Sequence, residues 1–178
     1  MDRKFLTNKH PLWHANIQNW EFYIRSYLGG NDYRNGYYLH RYILETPEEY
    51  DQRIRHTPVD NHCKNVVQIY TSFLWRVPPT RDYGTLDGDP ALESFVNDAD
   101  LDGRSFNSFM RDCATFSAVY GHVWVMVDKP TTQVSTRAEE LSQEIRPYVS
   151  IITPESVIDW KYMLSLIHIS EPTRLPGI

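Results

Sequence analysis

The sequence predicts an α+β fold in which a helical N-terminal half packs on a small mixed sheet. Two features of the chain predict this class. As far as Tyr120, apolar residues recur at steps of three and four, the spacing of one helix face, whereas the segments predicted as strands all follow Gly121. Helices and strands segregated along the chain in this way are typical of α+β proteins. The 178 residues, of which 41% are hydrophobic, suffice for one domain with a core.

The N-terminal half is predicted to begin with an amphipathic helix over residues 11–28, because apolar side chains recur there at helical spacing. Gly29 and Gly30 would end this helix, and a turn-rich segment would follow. Thr46 and Glu49 have the spacing of a capping box, in which each side chain accepts a hydrogen bond from the other residue's backbone N–H. A second helix is therefore predicted to start at Thr46.

A third helix is predicted between Asp60, its expected N-cap, and Arg76, because Pro78 and Pro79 cannot continue a helix. Its apolar residues again keep helical spacing and predict an apolar face, with Cys63 in the core and His62 on the surface. The residues of this face are Cys63, Val66, Val67, Tyr70, Phe73 and Leu74.

The second half of the chain is predicted to contain a short helix over residues 90–98 and a longer one after Gly103, which Gly121 would end. Residues 122–128 are apolar on both faces and rich in β-branched residues, so a buried strand is predicted there. Three further elements are expected: a capped helix from Thr136 to about Ile145, a strand over 148–152, and a return to the sheet over 157–160.

The charge balance argues against a nucleic-acid-binding protein. Lys and Arg number 18 against 23 Asp and Glu, a formal charge of −5, whereas affinity for nucleic acid depends on positive charge. One local region does mix arginines with tyrosines, namely Arg25, Arg34 and Arg41 among the tyrosines of residues 23–42. These residue types could stack on bases, and they are also enriched at protein interfaces. The acidic chain favours the interface interpretation.

Motifs for cofactor, metal or phosphate chemistry are incomplete. The chain has neither G-x-G-x-x-G nor a Walker lysine. Asp98, Asp100, Asp102 and Gly103 match the first half of a calcium loop, but Phe109 stands where the bidentate glutamate belongs. We therefore expect a capped turn at this loop, no metal, no cofactor and no catalytic residue.

The two cysteines, Cys63 and Cys113, fit neither a zinc spacing nor a disulfide framework, so two free buried thiols are predicted. His62 adjoins Cys63, but neighbouring helix positions point about 100° apart, which argues against a dyad between them. A cysteine nucleophile paired with a distant histidine remains an alternative.

The stretch from Leu164 to Arg174, LSLIHISEPTR, resembles the translation of a transposon-end adapter used in preparing sequencing libraries. We therefore expect residues 164–178 to be a non-biological tail and exclude them from fold reasoning. Residues 1–163 are expected to be the authentic part, and the gene is expected to continue past Tyr162 or Met163.

The order of segments in the authentic part resembles the N-terminal wing region of a tailed-bacteriophage portal protein. No single piece is specific, but their succession is. The residues that carry the resemblance are Trp20, Tyr38, Leu39, Tyr50, Arg53, Arg76, Pro78, Pro79, Asp102, Gly103, Gly121, Asp128, Pro130, Pro147, Pro154 and Trp160. One departure is His40-Arg41, where the pattern has a proline after Tyr-Leu.

The resemblance implies a structural subunit rather than an enzyme. Portal proteins assemble with themselves as a dodecameric ring at one capsid vertex and contact the major capsid or scaffolding protein. Stem and clip regions, expected beyond this chain, meet the terminase and the neck or tail, and DNA passes through the ring non-specifically. The expected location is the virion, after synthesis in the host bacterial cytoplasm, with no membrane partner. Two alternatives remain: another head-assembly or minor capsid protein, and a small cysteine-dependent enzyme.

Overall fold

The structure, a computed structural model, describes residues 9–130 and 145–160. Within these ranges the protein has six α-helices, one 3₁₀ turn and two strands, which confirms the α+β class. The predicted helix from Thr136 and the tail 164–178 lie outside the described residues. In chain order the elements are α1 (Pro11–Leu28), α2 (Gly30–Arg34), α3 (Pro47–His56), α4 (His62–Leu74), the 3₁₀ turn (Gly84–Leu86), α5 (Pro90–Asn97), α6 (Phe106–Tyr120), β1 (Trp124–Asp128) and β2 (Tyr148–Ile152).

Two of the predicted helix ends are confirmed in atomic detail. The Glu49 backbone N–H donates to Thr46 Oγ1 at 3.3 Å, and the Thr46 N–H donates to Glu49 Oε2 at 2.9 Å, which completes the capping box of α3. At the end of α6, Gly121 has φ 88°, a left-handed conformation that side chains other than glycine rarely adopt. Local sequence therefore sets both boundaries.

The start of α4 differs from the prediction. Asn61, not Asp60, is the N-cap, since its Oδ1 accepts from the Lys64 N–H at 2.9 Å. The Asn61 side chain also donates to the Tyr27 carbonyl at 2.7 Å, which ties α4 to the end of α1. A Cβ on Gly29 would lie 2.3 Å from Asn61 Nδ2, so the close approach requires glycine. Tertiary contact thus selects the cap.

Two further boundaries differ from the prediction by a few residues. The residues after Gly29 form α2 (Gly30–Arg34), a short helix, before the expected turn. The helix α4 ends at Leu74, two residues before the predicted Arg76, because the backbone of Trp75 already leaves helical geometry. Both differences are small and leave the order of elements unchanged.

The main core lies between α6 and β2. Phe109, which is 2% exposed, and Cys113 project from α6 onto Val149 of β2 and onto Ala99, which has no exposed surface. Phe95 of α5 packs against the edge of this cluster. Burying such side chains stabilises the fold by about 1.5–3 kcal/mol each. The sheet is thus anchored by one buried helix face.

A second contact ties α1 to the segment after β2. The His10 ring stacks on Trp160 at 4.1 Å, and the His10 backbone N–H donates to the Ile158 carbonyl at 2.8 Å. Trp13 Nε1 donates to the Glu155 carbonyl at 3.1 Å. Residues 157–160 therefore contact the start of α1. The sequence had predicted that they return to the sheet, and this prediction is wrong.

The sheet of the described residues has two antiparallel strands, so it is not the mixed sheet expected from the sequence. Trp124 lies opposite Ile152, and Asp128 lies opposite Tyr148. The prediction that β1 is a buried strand is wrong, because all but its first residue are exposed. β1 pairs with β2 along one of its edges.

Candidate interaction surface

The apolar face predicted for α4 points to solvent. Six large side chains in and just after this helix are between 52% and 75% exposed and form what we call the α4 strip. Of the residues predicted for this face, only Val67 is half-buried, and the prediction that Cys63 lies in the core is wrong. The members of the strip are Val66, Ile69, Tyr70, Phe73, Leu74 and Val77.

The opposite face of α4 is the one that packs. Val67, Thr71 and Trp75 recur at steps of four, and this stripe is the least exposed of the helix, with Thr71 only 4% exposed. The contacts of α4 are with α1 and α6. A polar threonine is thus inside and a row of apolar side chains outside. Tertiary packing, not side-chain polarity, decides which face is buried.

A second exposed surface is the segment of residues 39–45, which we call the hook. Two side chains of α3 hold its backbone. The Tyr50 hydroxyl donates to the Leu39 carbonyl at 2.5 Å, and Arg53 Nη2 donates to the His40 carbonyl at 2.8 Å. Arg53 also binds both carboxylate oxygens of Glu45, at 2.7 and 2.9 Å. Two hydrogen bonds in this planar geometry fix the end of the hook.

The clamp leaves the hook tip, residues 42–44, in solvent. Ile43 is 98% exposed and Leu44 is 95% exposed, the highest fractions among large hydrophobic side chains in the described ranges. The Tyr42 ring, at the side of the tip, has the Arg53 guanidinium 4.8 Å from its centroid. The hydrogen bond from Arg53 lowers the pKa of Glu45, so the clamp is charged at neutral pH. A polar base therefore presents an apolar tip.

Beside the hook lies a cavity of 420 Å³ bounded by α1, α2, α3 and the start of α4. Phenylalanine and tyrosine side chains form part of its wall, and the rings of Phe22 and Tyr38 meet edge to face at 4.8 Å. Burial raises the pKa of Tyr38. Arg34 also lines the cavity, but its guanidinium donates to the Thr57 carbonyl at 2.9 and 3.1 Å. This arginine holds the loop between α3 and α4, so the mixed Arg-Tyr region here serves packing.

The calcium-like loop is a capped turn, as predicted. Asp98 accepts from the Gly103 N–H at 2.9 Å and from Arg146 Nη2 at 2.6 Å. Asp100 accepts from the backbone of the loop and pairs with Arg104 at 3.2 Å. Burial opposes the charge of Asp100, but these donors outweigh it and lower its pKa. Residues 9–130 and 145–160 contain no cluster of three or more His, Cys, Asp or Glu suited to a metal ion.

The two cysteines differ in exposure. Cys113 is buried in the core as predicted, and burial raises the pKa of its thiol. Cys63 is exposed and lines the cavity rim, so the prediction of two buried thiols is half wrong. His62 Nε2 lies 3.2 Å from Asp60 Oδ2. Within the part of the chain that the structure describes, no hydrogen bond joins Cys63 to His62, as the helix geometry had indicated.

Four residues of the portal-like pattern meet at the hook. Leu39, Tyr50 and Arg53 form its clamp, and Tyr38 continues the chain into the aromatic cavity wall. Downstream of α4, the other early members of the pattern, Arg76, Pro78 and Pro79, are exposed. The structure therefore brings these four residues together and leaves Arg76, Pro78 and Pro79 in solvent beside the strip.

The remaining members of the pattern have structural positions. Trp20 is buried edge to face against His122 at 5.7 Å, and Asp128 accepts from the Tyr148 hydroxyl across the sheet at 3.3 Å. Pro154 is fully buried in the turn after β2. The others lie at element ends: Asp102 and Gly103 in the capped turn, Gly121 after α6, Pro130 after β1, Pro147 before β2 and Trp160 against α1.

Sequence reasoning missed the hook tip. Ile43 and Leu44 lie in a segment without periodicity, so neither a helical nor a strand pattern marks them. The available signal was an apolar pair enclosed by Arg41 and Glu45, both of which the structure uses to close the hook: Arg41 donates to the Glu45 carbonyl at 2.6 and 3.0 Å. Here, an apolar pair flanked by charged residues that bond to each other forms an exposed tip.

No family model matches the chain, and no curated protein matches it. Among the described helices, none combines the length and the apolar content that a membrane span requires. The inference of function therefore depends on where the residues lie and on which surfaces they expose.

Proposed function

We propose that this chain is the N-terminal wing part of a portal subunit of a tailed bacteriophage. In this role it helps to form the ring at the capsid vertex and supports capsid assembly, DNA packaging and ejection. The observation that carries the proposal is the exposed apolar surface of the α4 strip and the hook tip. A ring subunit needs such surfaces, because it contacts two neighbours through different patches.

The amount of exposed apolar surface supports an assembly subunit. If a large side chain has about 200 Å² to expose, the α4 strip presents on the order of 800 Å². The largest apolar patch of a typical monomer is about 300–600 Å², and larger patches mark interaction sites. A standard interface covers about 800 Å² per partner. The strip alone therefore has the area of one protein contact.

The charge of the chain also suits a wing position. A formal charge of −5 gives no field that would hold passing DNA. The mixed Arg-Tyr region supports protein packing instead, since Arg34 and Arg41 donate to backbone carbonyls of the same chain. The order of the portal-like segments adds to this support.

The test begins with the source DNA. Amplification and sequencing across the codons near Met163 is expected to show an open reading frame that continues past this position without the SLIHISEPTR codons. The complete product is then expressed and measured by mass photometry and negative-stain microscopy. Twelve-membered rings with a central channel support the proposal.

Two results would contradict the portal assignment. A complete product that stays monomeric across the micromolar range would not be a ring subunit. Rings or shells that lack the long stem helices in the continued sequence would instead identify another head-assembly or minor capsid component. A matched pair of variants, Phe73→Glu in the strip and Ser94→Glu on exposed α5, separates a specific contact from general surface charge.

The exposure of Cys63 supports a second candidate function, that of a cysteine-dependent enzyme. Its thiol lines the 420 Å³ cavity, where a substrate could reach it. An activated thiolate keeps its full rate of alkylation by iodoacetamide well below pH 8.5, whereas the rate of an ordinary thiol falls with its thiolate fraction. Alkylation measured from pH 5 to 9, with Cys63→Ser as the control, decides between them. A rate that follows an ordinary thiol pKa eliminates the enzyme.

A further inference from the structure

The hook tip and the α4 strip have complementary shapes. The tip is a protrusion formed by Ile43 and Leu44 above a clamped base. The strip borders a shallow groove along α4, whose apolar lining residues are Ile69 and Phe73 and whose polar lining residues are Asn65, Gln68, Ser72 and Arg76. The side chains that contribute most to an interface usually lie near its centre, in pockets from which water is excluded.

The hook tip carries no charged side chain, and the strip has one beside it, Arg76, which also lines the groove. Residues 42–44 and residues 65–75 contain no Asp, Glu, Lys or Arg. A contact centred on Ile69 and Phe73 would therefore bury no charge at its middle, where ion desolvation would be costly. Nucleic acid and anionic membranes are recognised through several basic side chains, whereas the groove has a single arginine. The chemistry of the two surfaces therefore fits an apolar protein surface.

The areas fit one another within a single interface. The tip exposes on the order of 500 Å², less than the about 800 Å² per partner of a standard interface. The strip reaches about 800 Å² by the same measure. The tip would therefore occupy the centre of the strip, and the polar residues beside the tip would complete the rim.

The tip of a chain does not cover the strip of the same chain, because both are exposed in one structure. We infer that the hook tip of one copy docks on the α4 strip of the neighbouring copy. The two surfaces are different, so this contact is head to tail and leaves one free tip and one free strip until a ring closes. The inference rests on the proposed function and names the contact between adjacent subunits.

A disulfide trap between two copies tests the contact. One copy carries Leu44→Cys, which keeps Ile43 in the tip, and the other carries Ser72→Cys, a nearly isosteric change in the groove. Both copies carry Cys63→Ser, and Cys113 stays because it is buried. Mild oxidation of the mixture is expected to give a covalent dimer on a non-reducing gel.

The matched control replaces Ser72→Cys with Ser94→Cys, another exposed helical serine, on α5. The trapped dimer is expected to form about tenfold faster with Ser72→Cys than with the control, as for a contact that holds the two sulfurs close together. Equal rates for the two mixtures would mean that something other than a second copy covers the strip, and would overturn the inference.

A second measurement distinguishes failure of this contact from failure of the proposed function. The change Ile43→Glu is made in the complete gene product. The control is Leu12→Glu, at an exposed position of α1. Ring assembly is expected to weaken at least tenfold for the first variant and to persist for the second. Rings that survive Ile43→Glu overturn the hook contact but leave the portal assignment intact. Trapped dimers without any rings support the contact and overturn the portal assignment.

Discussion

Two regions of this protein treat apolar side chains in opposite ways. The core region, formed by α5, α6, the capped turn of residues 98–104 and the sheet, buries Phe109 and Cys113. The arm, residues 37–79, leaves the hook tip and the α4 strip in solvent, while its polar side chains are engaged in the clamp. The core region uses apolar contact to fold. The arm uses hydrogen bonds to hold its shape and leaves the apolar side chains of the tip and the strip exposed.

The difference shows that amphipathicity alone does not locate a core. Both α4 and α6 have helical apolar spacing in the sequence. The apolar face of α6 meets β2, whereas α4 meets α1 and α6 through the stripe that contains Thr71. A contiguous uncovered face of this size marks an interaction site.

The sharpest way to break this comparison is a matched pair of phenylalanine truncations. Phe109→Ala is expected to lower the free energy of unfolding by about 3–5 kcal/mol, because it opens a cavity in the core. Phe73→Ala on the strip is expected to change it by less than about 0.5 kcal/mol. Urea titration followed by tryptophan fluorescence measures both. Equal losses would mean that α4 is covered within one chain.

Thiol reactivity compares the same two regions through the cysteines. At neutral pH Cys63 is expected to react with a thiol reagent at least about a hundredfold faster than Cys113, whose reaction requires local opening. Burial also raises the pKa of Cys113 and reduces its thiolate fraction. Stopped-flow absorbance should show one fast thiol, and Cys63→Ser should remove that phase. Two fast thiols would show that the core is open.

A smaller effect is expected where the core region uses polar contacts. Arg146→Ala removes the donors to the Asp98 carboxylate and carbonyl, and should cost about 1–3 kcal/mol because both acceptors are partly buried. The control is Arg55→Ala, which breaks an exposed helical pair with Asp51 and should cost at most about 0.5 kcal/mol. Thermal denaturation of both variants measures the difference. A similar loss of stability for Arg146→Ala and Arg55→Ala would mean that the contacts of Arg146 with the turn do not stabilise the fold.

The smallest effect concerns the clamp of the hook. The hydrogen bond from Arg53 lowers the pKa of Glu45 below its ordinary 4.5, so the clamp contributes above pH 4.5 and is lost as pH falls through the lowered pKa. The Tyr42 amide, which donates to Glu45 at 3.2 Å, should then exchange about two- to fivefold faster after correction for intrinsic rates. Hydrogen exchange at pH 3 and pH 6 measures this difference. The variant Glu45→Gln, which has no carboxylate at this position, should show the faster exchange already at pH 6.

Local residues were sufficient to predict most element boundaries. The Thr46 capping box and the Gly121 stop act within one turn of helix, so their geometry follows from neighbours in the chain. Asn61 displaced Asp60 as the cap because it alone also reaches the Tyr27 carbonyl. Sequence neighbours do not reveal such a contact across 34 positions.

The candidate site was less predictable than the fold. The tyrosine and arginine of the portal-like pattern, Tyr50 and Arg53, were identified, but the tip that they present was not. Exposure of the tip depends on backbone carbonyls and on Glu45, eight residues from Arg53. A sequence pattern specifies side chains, so it cannot show which backbone carbonyls those side chains will bind.

By itself the sequence determined the α+β class, the order of the elements and the capped turn at Asp98, because spacing, caps and breakers act over a few residues. Only the tertiary structure decided which apolar surfaces are covered. The burial of the α6 face and the exposure of the α4 strip follow from which elements meet, and that is a property of the whole chain.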